Sequence, residues 1–365
     1  MTARLRLPLL PPPPSALEII ERNTLQLPAQ HRNRWKDEMT RSVPRRDHSP
    51  APERLILELA NTCNLDCPMC RVGRYGVDSS RFMAPELFER VLGALPSLRE
   101  VRLNGLGEAT LHPRFEYFVR RVVDSGLHGE LITNLTCGQA TIDLLAEATF
   151  TVLVSWDAAT PHLFERLRRP ASFNATHANL EALGAAAARR GRSDAMHLIF
   201  TMQRANYGEL GRVVELAAAA LVPNVIVNVI KLDRETWLER HADAVLLAVD
   251  EARSAAAARG VRLFLPDHLG QRKVPGAAST TPATRGCDRP WREILVRYNG
   301  EIGVCNMFNP YVYGHVDRPG VAESWNGSVA DAFRRLVNTS ERHPYCEGCY
   351  YLKDVHGATD RRVTT

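Results

Sequence analysis

The chain is 365 residues long, 45% hydrophobic and 24% charged; this is the balance of an ordinary folded protein, which excludes disorder throughout and fits one large domain with an appendage, or two. Its formal net charge of +5 is local, because residues 1–50 hold nine Lys and Arg against five Asp and Glu while the remainder holds 37 against 36, so the body offers no nucleic-acid surface. No apolar span reaches the roughly 18 residues of a membrane helix, and the expectation is a cytoplasmic protein with no nucleic-acid and no membrane partner.

In chain order, MTARLRLPLLPPPPS comes first: two arginines precede the leucines, but Pro8 breaks the apolar run and Pro11 to Pro14 end it, too early for a signal peptide. Residues 1–50 contain eight of the 23 prolines and no sustained hydrophobic period, which predicts an irregular, solvated extension with a short helix around Ser15 to Arg22. From Arg54 onward β-rich runs alternate with amphipathic ones. LILELA, EVRLNG, GELITN, TVLVSW, MHLIFTM and NVIVNVI read as strands, and APELFERVLGAL, RFEYFVRRVVDSG, ATIDLLAEA, NLEALGAAAARRG and YGELGRVVELAAAAL as helices between them. Six β-then-α units in register imply an α/β fold with a parallel sheet, closed or partly closed into a barrel, whose chemistry gathers at the C-terminal strand ends. A helix over 236–259 and the apolar run VRLFLP follow, and then a Pro/Gly-punctuated linker, GQRKVPGAASTTPATRG. Beyond it a hairpin, EILVRYNGEIGVC, turning at Asn299-Gly300, and a helix, VADAFRRLVN, read as a small separate module. The expected divisions are an extension at 1–50, a barrel at 51–266, a linker at 267–286 and a C-terminal module at 287–365.

Three of the eight cysteines stand together in NTCNLDCPMC, as Cys63-x3-Cys67-x2-Cys70 behind the first strand. Clustered cysteines in reducing surroundings point to metal rather than disulfides. A closed zinc site needs four ligands, so three thiolates leave either a distant fourth ligand or an open position, as on a 4Fe-4S cube with one iron free.

In this order the residues resemble the radical S-adenosylmethionine (SAM) superfamily. The resemblance implies a partial (β/α)6 TIM-like barrel and a SAM-binding 4Fe-4S cluster on Cys63, Cys67 and Cys70, with SAM cleaved reductively to methionine and a 5′-deoxyadenosyl radical. Met69 stands where the family packs a side chain against the adenine. LNGLGEATLHP matches the family's Gly-Gly-Glu segment, which implies that Gly105, Gly107 and Glu108 hold the SAM ammonium; Ala109 replaces the usual proline. TNLTCG and VSWDAATPHLFERLRR resemble the Thr-Asn and Ser-x-Asp stretches, implying Ser155 at the SAM ribose or carboxylate and Arg168 at the carboxylate, with a helix cap or a surface charge as the other reading of each. Asn206 and Asn228 are expected at the same mouth.

Cys287-x17-Cys305-x40-Cys346-x2-Cys349 is a complete four-thiolate set that by itself fits either zinc or an iron-sulfur cluster. Behind such a barrel it resembles the twitch module, the shortened relative of the SPASM domain, and implies a fully ligated auxiliary 4Fe-4S cluster that moves an electron. Alcohol dehydrogenases of the aminocyclitol-antibiotic pathways share this architecture. The expected activity is therefore that of a radical SAM oxidoreductase of natural-product biosynthesis, taking a small polar molecule, aminocyclitol or sugar-like, from secondary alcohol to ketone, with an external electron donor such as flavodoxin or ferredoxin. Two alternatives keep the radical chemistry: an epimerase in which Cys137 returns a hydrogen atom, and an enzyme that modifies a ribosomally made peptide. A non-catalytic zinc protein is the distant third. His315, Asp288 and Arg292 lie in the module, and nothing in the sequence aims any of them at a substrate.

Overall fold

The computed structural model describes residues 12–42, 48–70, 81–230, 240–266, 269, 284–305, 310–347, 349 and 352–355. All six expected strands form, with a seventh after them: β1 (Arg54–Leu57), β2 (Glu100–Leu103), β3 (His128–Thr133), β4 (Phe150–Ser155), β5 (Met196–Met202), β6 (Asn224–Val229) and β7 (Arg262–Phe264). They pair in sequence order and in parallel, as βαβ crossovers require. The order ends at β7 on one side and at β11 (Val312–His315) on the other, so the sheet is a partial barrel and not a closed one.

Side-chain alternation gives the two faces opposite characters. Leu55, Leu57, Val101, Leu103, Leu131, Val152, Val154, Leu198 and Phe200 are buried and face the crossover helices, among them α3 (Pro85–Ala94), α4 (Phe115–Asp124), α5 (Gln139–Glu147), α7 (Phe173–Arg189) and α8 (Leu210–Ala219). A short α6 (Pro161–Leu167) precedes α7, an element the sequence reading lacks. The other face is largely polar. At its N-terminal end Arg54 bonds Glu100 at 2.7 Å and lies 3.6 Å from Glu293, Arg102 bonds Glu130 at 3.0 Å, and Arg289 bonds Glu293 at 2.8 Å. Where a closed TIM barrel is filled by layers of branched apolar residues, this one is floored by ion pairs.

The hairpin does not stand apart as a separate module. β9 (Glu293–Val296) pairs in parallel with β1, Arg54 opposite Glu293, and β10 (Glu301–Gly303) and β11 (Val312–His315) continue the same sheet antiparallel. Two helices close it, α10 (Val321–Asn326) and α11 (Ser328–Leu336). Within the expected linker, β8 (Thr284–Gly286) pairs with β12 (Lys353–Val355), and residues 270–283 lie outside the described residues. The helix expected over 236–259 is α9 (Ala242–Arg259), its first residues likewise outside the description.

The extension also departs from expectation. Its first helix, α1 (Ala16–Leu25), starts at a capping box in which the Ser15 hydroxyl accepts from the Glu18 amide and Glu18 accepts from the Ser15 amide. A second helix, α2 (Ala29–Thr40), follows where irregular chain was predicted. Asn23, wholly buried, acts as one rung of a ladder beyond the last strand: its amide donates to the Val312 carbonyl at 2.8 Å and accepts from the Val312 amide at 2.9 Å. Arg22 pairs with Glu301, and Arg335 with Glu38. The hairpin thus covers the β11 edge, which would otherwise present unpaired backbone groups. No helix among the described residues is long and apolar enough to cross a membrane.

Candidate functional site

The loop after β1 is pinned at its base. Ala60 and Phe82 form an antiparallel bridge, the Met83 amide donates to the Leu59 carbonyl at 2.9 Å, and the Asn61 side chain accepts from the Arg81 amide at 2.7 Å. Cys63, Cys67 and Cys70 therefore project from one closed loop at the C-terminal end of a barrel strand, with the Cys70 amide turned onto the Cys67 carbonyl at 2.9 Å. None of the eight cysteines is in a disulfide.

The segment after β2 lies directly on that loop. The Glu108 amide donates to the Thr62 carbonyl at 2.8 Å, and a Cβ on Gly107 would sit 2.3 Å from the same oxygen and 2.5 Å from the Ala60 carbonyl. Only glycine admits so close a backbone approach. A Cβ on Gly105 would meet Glu58 Cγ at 2.6 Å; Glu58, buried at the end of β1, accepts from the Leu106 amide at 3.0 Å. Glu108 is 4% exposed. Its carboxylate accepts from the Thr110 amide (3.2 Å) and hydroxyl (2.8 Å), the Thr133 hydroxyl (2.9 Å) and the Asn134 amide (2.8 Å). Burial pushes this carboxyl up, and those donors pull it back. The chain thus engages Glu108 as a staple between the ends of β2 and β3.

Asn134, a residue the sequence reading did not single out, reaches the cysteines. Its side-chain amide lies 3.6 Å from Cys63 Sγ and 3.0 Å from Asn64 Oδ1, and Leu65 N–H approaches the same sulfur at 3.4 Å. Burial pushes the thiols of Cys63 and Cys67 up, Cys67 to about 12, with Leu65 N–H acting against it at Cys63 and Arg168 at Cys67. Arg168 is no surface charge: it is 7% exposed and pairs at 2.6 Å with Asp157, which is 0% exposed. After Asp157 the groups whose negative charge would bear on it most are Cys67 and Cys63, and its Nε is buried with no hydrogen-bond partner among the described residues. Removing one member of a buried ion pair leaves the other uncompensated, at about 3–5 kcal/mol. Arg168→Met is expected to lose that much stability in chemical denaturation, and adding Asp157→Asn to recover part of it; equal losses in the single and double variants would show that the pairing is not what matters.

Ser155 ends β4 on the polar face, half-buried and opposite Ile199 of β5; Thr201, two residues further along β5, pairs in register with Asn228 of β6. Asn206 turns away from this mouth. It is 1% exposed and its side chain ties the carbonyls of Asp157 and Thr201 to the Gln203 amide. Met69 packs partly buried against the core. Cys137 follows β3, its carbonyl held by Asn179 at 3.0 Å. His315 spends both ring nitrogens on its own hairpin, donating to the Asn299 carbonyl at 2.8 Å and accepting from the Asp317 amide at 3.1 Å. Asp288 and Arg292 line a cavity of about 300 Å³ at the N-terminal strand ends, away from the cysteine loop.

In the module, Cys287 is anchored by Asn338, which accepts from its amide at 2.7 Å and donates to its carbonyl at 3.2 Å. Burial pushes its thiol up to about 12, and Cys346 and Cys349 are close enough to add to the rise. The Cys349 amide folds back on the Cys346 carbonyl at 3.3 Å.

Two family models match this chain in order: the radical SAM superfamily over residues 57–217 and an iron-sulfur cluster-binding domain, SPASM, over 287–350. The chain belongs to the radical SAM superfamily. Radical SAM structures also share its fold. SuiB of Streptococcus suis bound to S-adenosylmethionine is 14% identical with a TM-score of 0.59, over 81% of this chain and 67% of that one. For anSMEcpe with bound AdoMet the values are 14% and 0.59, over 82% and 86%. A curated relative, the tungsten-containing aldehyde ferredoxin oxidoreductase cofactor-modifying protein of Pyrococcus furiosus, is 36% identical over 85 residues, 22% of this chain and 24% of that protein, so the match spans about a quarter of its length.

For a radical SAM enzyme with this module the cofactors are 4Fe-4S clusters and SAM. The residues present fit them. Cys63 Sγ already receives two N–H groups, as a metal-bound thiolate does.

Proposed function

We propose that the chain is a radical SAM oxidoreductase that takes a secondary alcohol on a small polar molecule to a ketone, with Cys63, Cys67 and Cys70 holding the SAM-binding cluster and Cys287, Cys305, Cys346 and Cys349 the auxiliary one. When bound, SAM at the first cluster supplies the radical that takes the carbinol hydrogen, and the second cluster supplies an acceptor for the remaining electron as the hydroxyl loses its proton. The chain's own part is to hold and orient. Gly105 and Gly107 let backbone approach SAM and the cysteine loop together, Glu108 fixes that segment from beneath, and Ser155 offers a hydroxyl to the SAM ribose or carboxylate. Met69 packs against the adenine, and Arg168 keeps a cation beside the thiolates of Cys67 and Cys63.

The observation that carries the small-molecule reading is the polar inner face of the sheet, where Ser155, Thr201 and Asn228 stand near the C-terminal ends of three adjacent strands. Such groups hydrogen-bond hydroxyls without adding a charge. The covered β11 edge supports it too, since strand addition is a common way to bind an extended peptide. A peptide substrate is the second reading, prompted by solved relatives that hold one: SuiB with precursor peptide SuiA, and anSMEcpe with the Cp18Cys peptide. The test is turnover of anaerobically reconstituted protein with SAM and a strong reductant against carbinol-deuterated aminocyclitols and polyols, and separately against peptides. Deuterium moving into 5′-deoxyadenosine with an equivalent of ketone supports the first reading; coupling to peptides alone replaces it with the second.

Cys137 separates dehydrogenation from epimerisation. Burial pushes its thiol up to about 12 with Glu108 adding to the rise, so it stays an S–H, the form a hydrogen-atom donor needs. In the dehydrogenase reading Cys137→Ala turns over as the parent does, and product formed in D2O carries no solvent deuterium at the reacting carbon. Deuterium in the parent's product that vanishes in the variant would make the enzyme an epimerase.

A further inference from the structure

Tyr313 sits in the middle of β11, 3% exposed, with a hydroxyl that is buried and has no hydrogen-bond partner among the described residues. An unpaired buried hydroxyl costs about 1–3 kcal/mol, so such an orphan needs a reason. Its neighbour Tyr311 shows the usual solution, donating to the Val329 carbonyl at 3.0 Å. What surrounds Tyr313 supplies the reason. The Arg334 guanidinium lies 6.0 Å from its ring centroid and is fixed by the Pro290 carbonyl at 2.9 Å and the Trp325 carbonyl at 2.7 Å. Cys305 follows β10, the strand paired with β11, and Cys305, Cys287 and Cys346 are the thiols whose charge would bear on the Tyr313 phenol, three of the four module cysteines. A phenol is protonated at neutral pH, so its O–H can serve as a donor toward them.

We infer that the Tyr313 hydroxyl donates a hydrogen bond to the auxiliary cluster, at a cysteine sulfur or a bridging sulfide, and raises that cluster's reduction potential. Hydrogen bonds to cluster sulfurs stabilise the more negative, reduced form and are among the main levers on potential. Arg334, held by two carbonyls behind the ring, adds a fixed positive charge of the same sign of effect. Tyr313 is in this sense a positioning residue for electron transfer: it touches no substrate and sets how readily the cluster accepts an electron. The inference rests on the assignment of the four module cysteines to an auxiliary cluster.

The test is a potentiometric titration, followed by electron paramagnetic resonance, of the holoprotein carrying both clusters. Tyr313→Phe keeps the ring and removes the donor. One charge-assisted hydrogen bond changes an equilibrium by about tenfold, so the auxiliary cluster is expected to become about tenfold harder to reduce, a fall of about 59 mV for one electron, while the SAM-binding cluster in the same sample does not move. Fluorotyrosine at position 313, a stronger donor of nearly equal size, is expected to shift the auxiliary potential upward. If Tyr313→Phe fails to hold the cluster, the fluorotyrosine sample decides: an upward shift supports the donor and no shift overturns it. An intact auxiliary cluster in Tyr313→Phe at the parent potential also overturns it. Parent protein with about four iron instead of about eight overturns the cluster assignment, and the donor with it.

Discussion

Gly107→Ala is expected to empty the three-cysteine site while the four-cysteine site stays loaded. The added Cβ would lie 2.3 Å from the Thr62 carbonyl, 2.5 Å from the Ala60 carbonyl and 2.7 Å from the Thr62 amide, all backbone atoms of the segment that carries Cys63. Backbone cannot rotate away as a side chain can, so either the β2 segment lifts or the cysteine loop shifts. Overpacking of this kind costs about 1–3 kcal/mol, and the shift breaks the bond between the Glu108 amide and the Thr62 carbonyl that aligns the two loops. Gly105→Ala is milder, because its clash is with Glu58 Cγ, a methylene that can turn. Gly138→Ala is the control, with nothing within 4 Å of the new methyl. Iron analysis after anaerobic reconstitution should give about four iron per chain for Gly107→Ala against about eight for the other two, with no change in the remaining spectrum on adding SAM. Full iron and a normal SAM response in Gly107→Ala would show that the close approach is not needed to form the site.

The barrel was legible because its strands carry their own signal. Runs such as TVLVSW and MHLIFTM are β-branched and bounded by polar turns, and the amphipathic stretches between them force parallel pairing. Both faces of those strands were in the sequence as well, since Glu100 and Arg102 alternate with Val101 and Leu103, but alternation does not say which face meets helices and which meets ion pairs. Pairing between β9 and β1 was beyond reach: Glu293 meets Arg54 and Glu53 bonds Arg292 across more than two hundred residues, and no local pattern announces a parallel neighbour that far away. The α2 helix escaped for a related reason. AQHRNRWKDEMT shows one apolar pair, Trp35 and Met39, in a charged frame, too narrow a stripe to mark a helix without sight of Tyr311 and Phe333, against which Trp35 packs.

The cysteines announced themselves by spacing, and the two glycines by their order after the cysteines. Their supports did not. Asn134 and Asp157 occur in the quoted stretches TNLTCG and VSWDAATPHLFERLRR, yet only the structure brings one to Cys63 Sγ and buries the other against Arg168. The fates of His315 and Asn206 were equally out of reach, because the local hydrogen bonds to backbone that occupy them, at a hairpin turn and a strand end, leave no compositional trace.

Trp35→Ala should do at the auxiliary site what Gly107→Ala does at the other. Trp35 is 0% exposed; its ring meets Tyr311, Phe333 and His343 edge-on at centroid distances of 5.4, 6.0 and 6.1 Å, and its Nε1 donates to the Glu341 carbonyl at 2.9 Å. Truncating a buried tryptophan costs about 3–5 kcal/mol, and here the loss falls at one place. Glu341 and His343 lead directly into Cys346, and the His343 ring accepts from the Tyr345 amide to set the turn before it. Without the indole that turn loses both its wall and its anchor, and α2 loses its buried contact with Tyr311 beside β11. Trp35→Ala is therefore expected to hold about four iron per chain, all of it responsive to SAM, and to self-associate as the strand edge opens. Trp35→Phe, which keeps most of the ring contacts and loses the hydrogen bond, should fall between. A Trp35→Ala protein that keeps the parent's oligomeric state with both clusters intact would show that the α1–α2 pair contributes nothing to the module it covers, and that the polar rung at Asn23 protects the edge by itself.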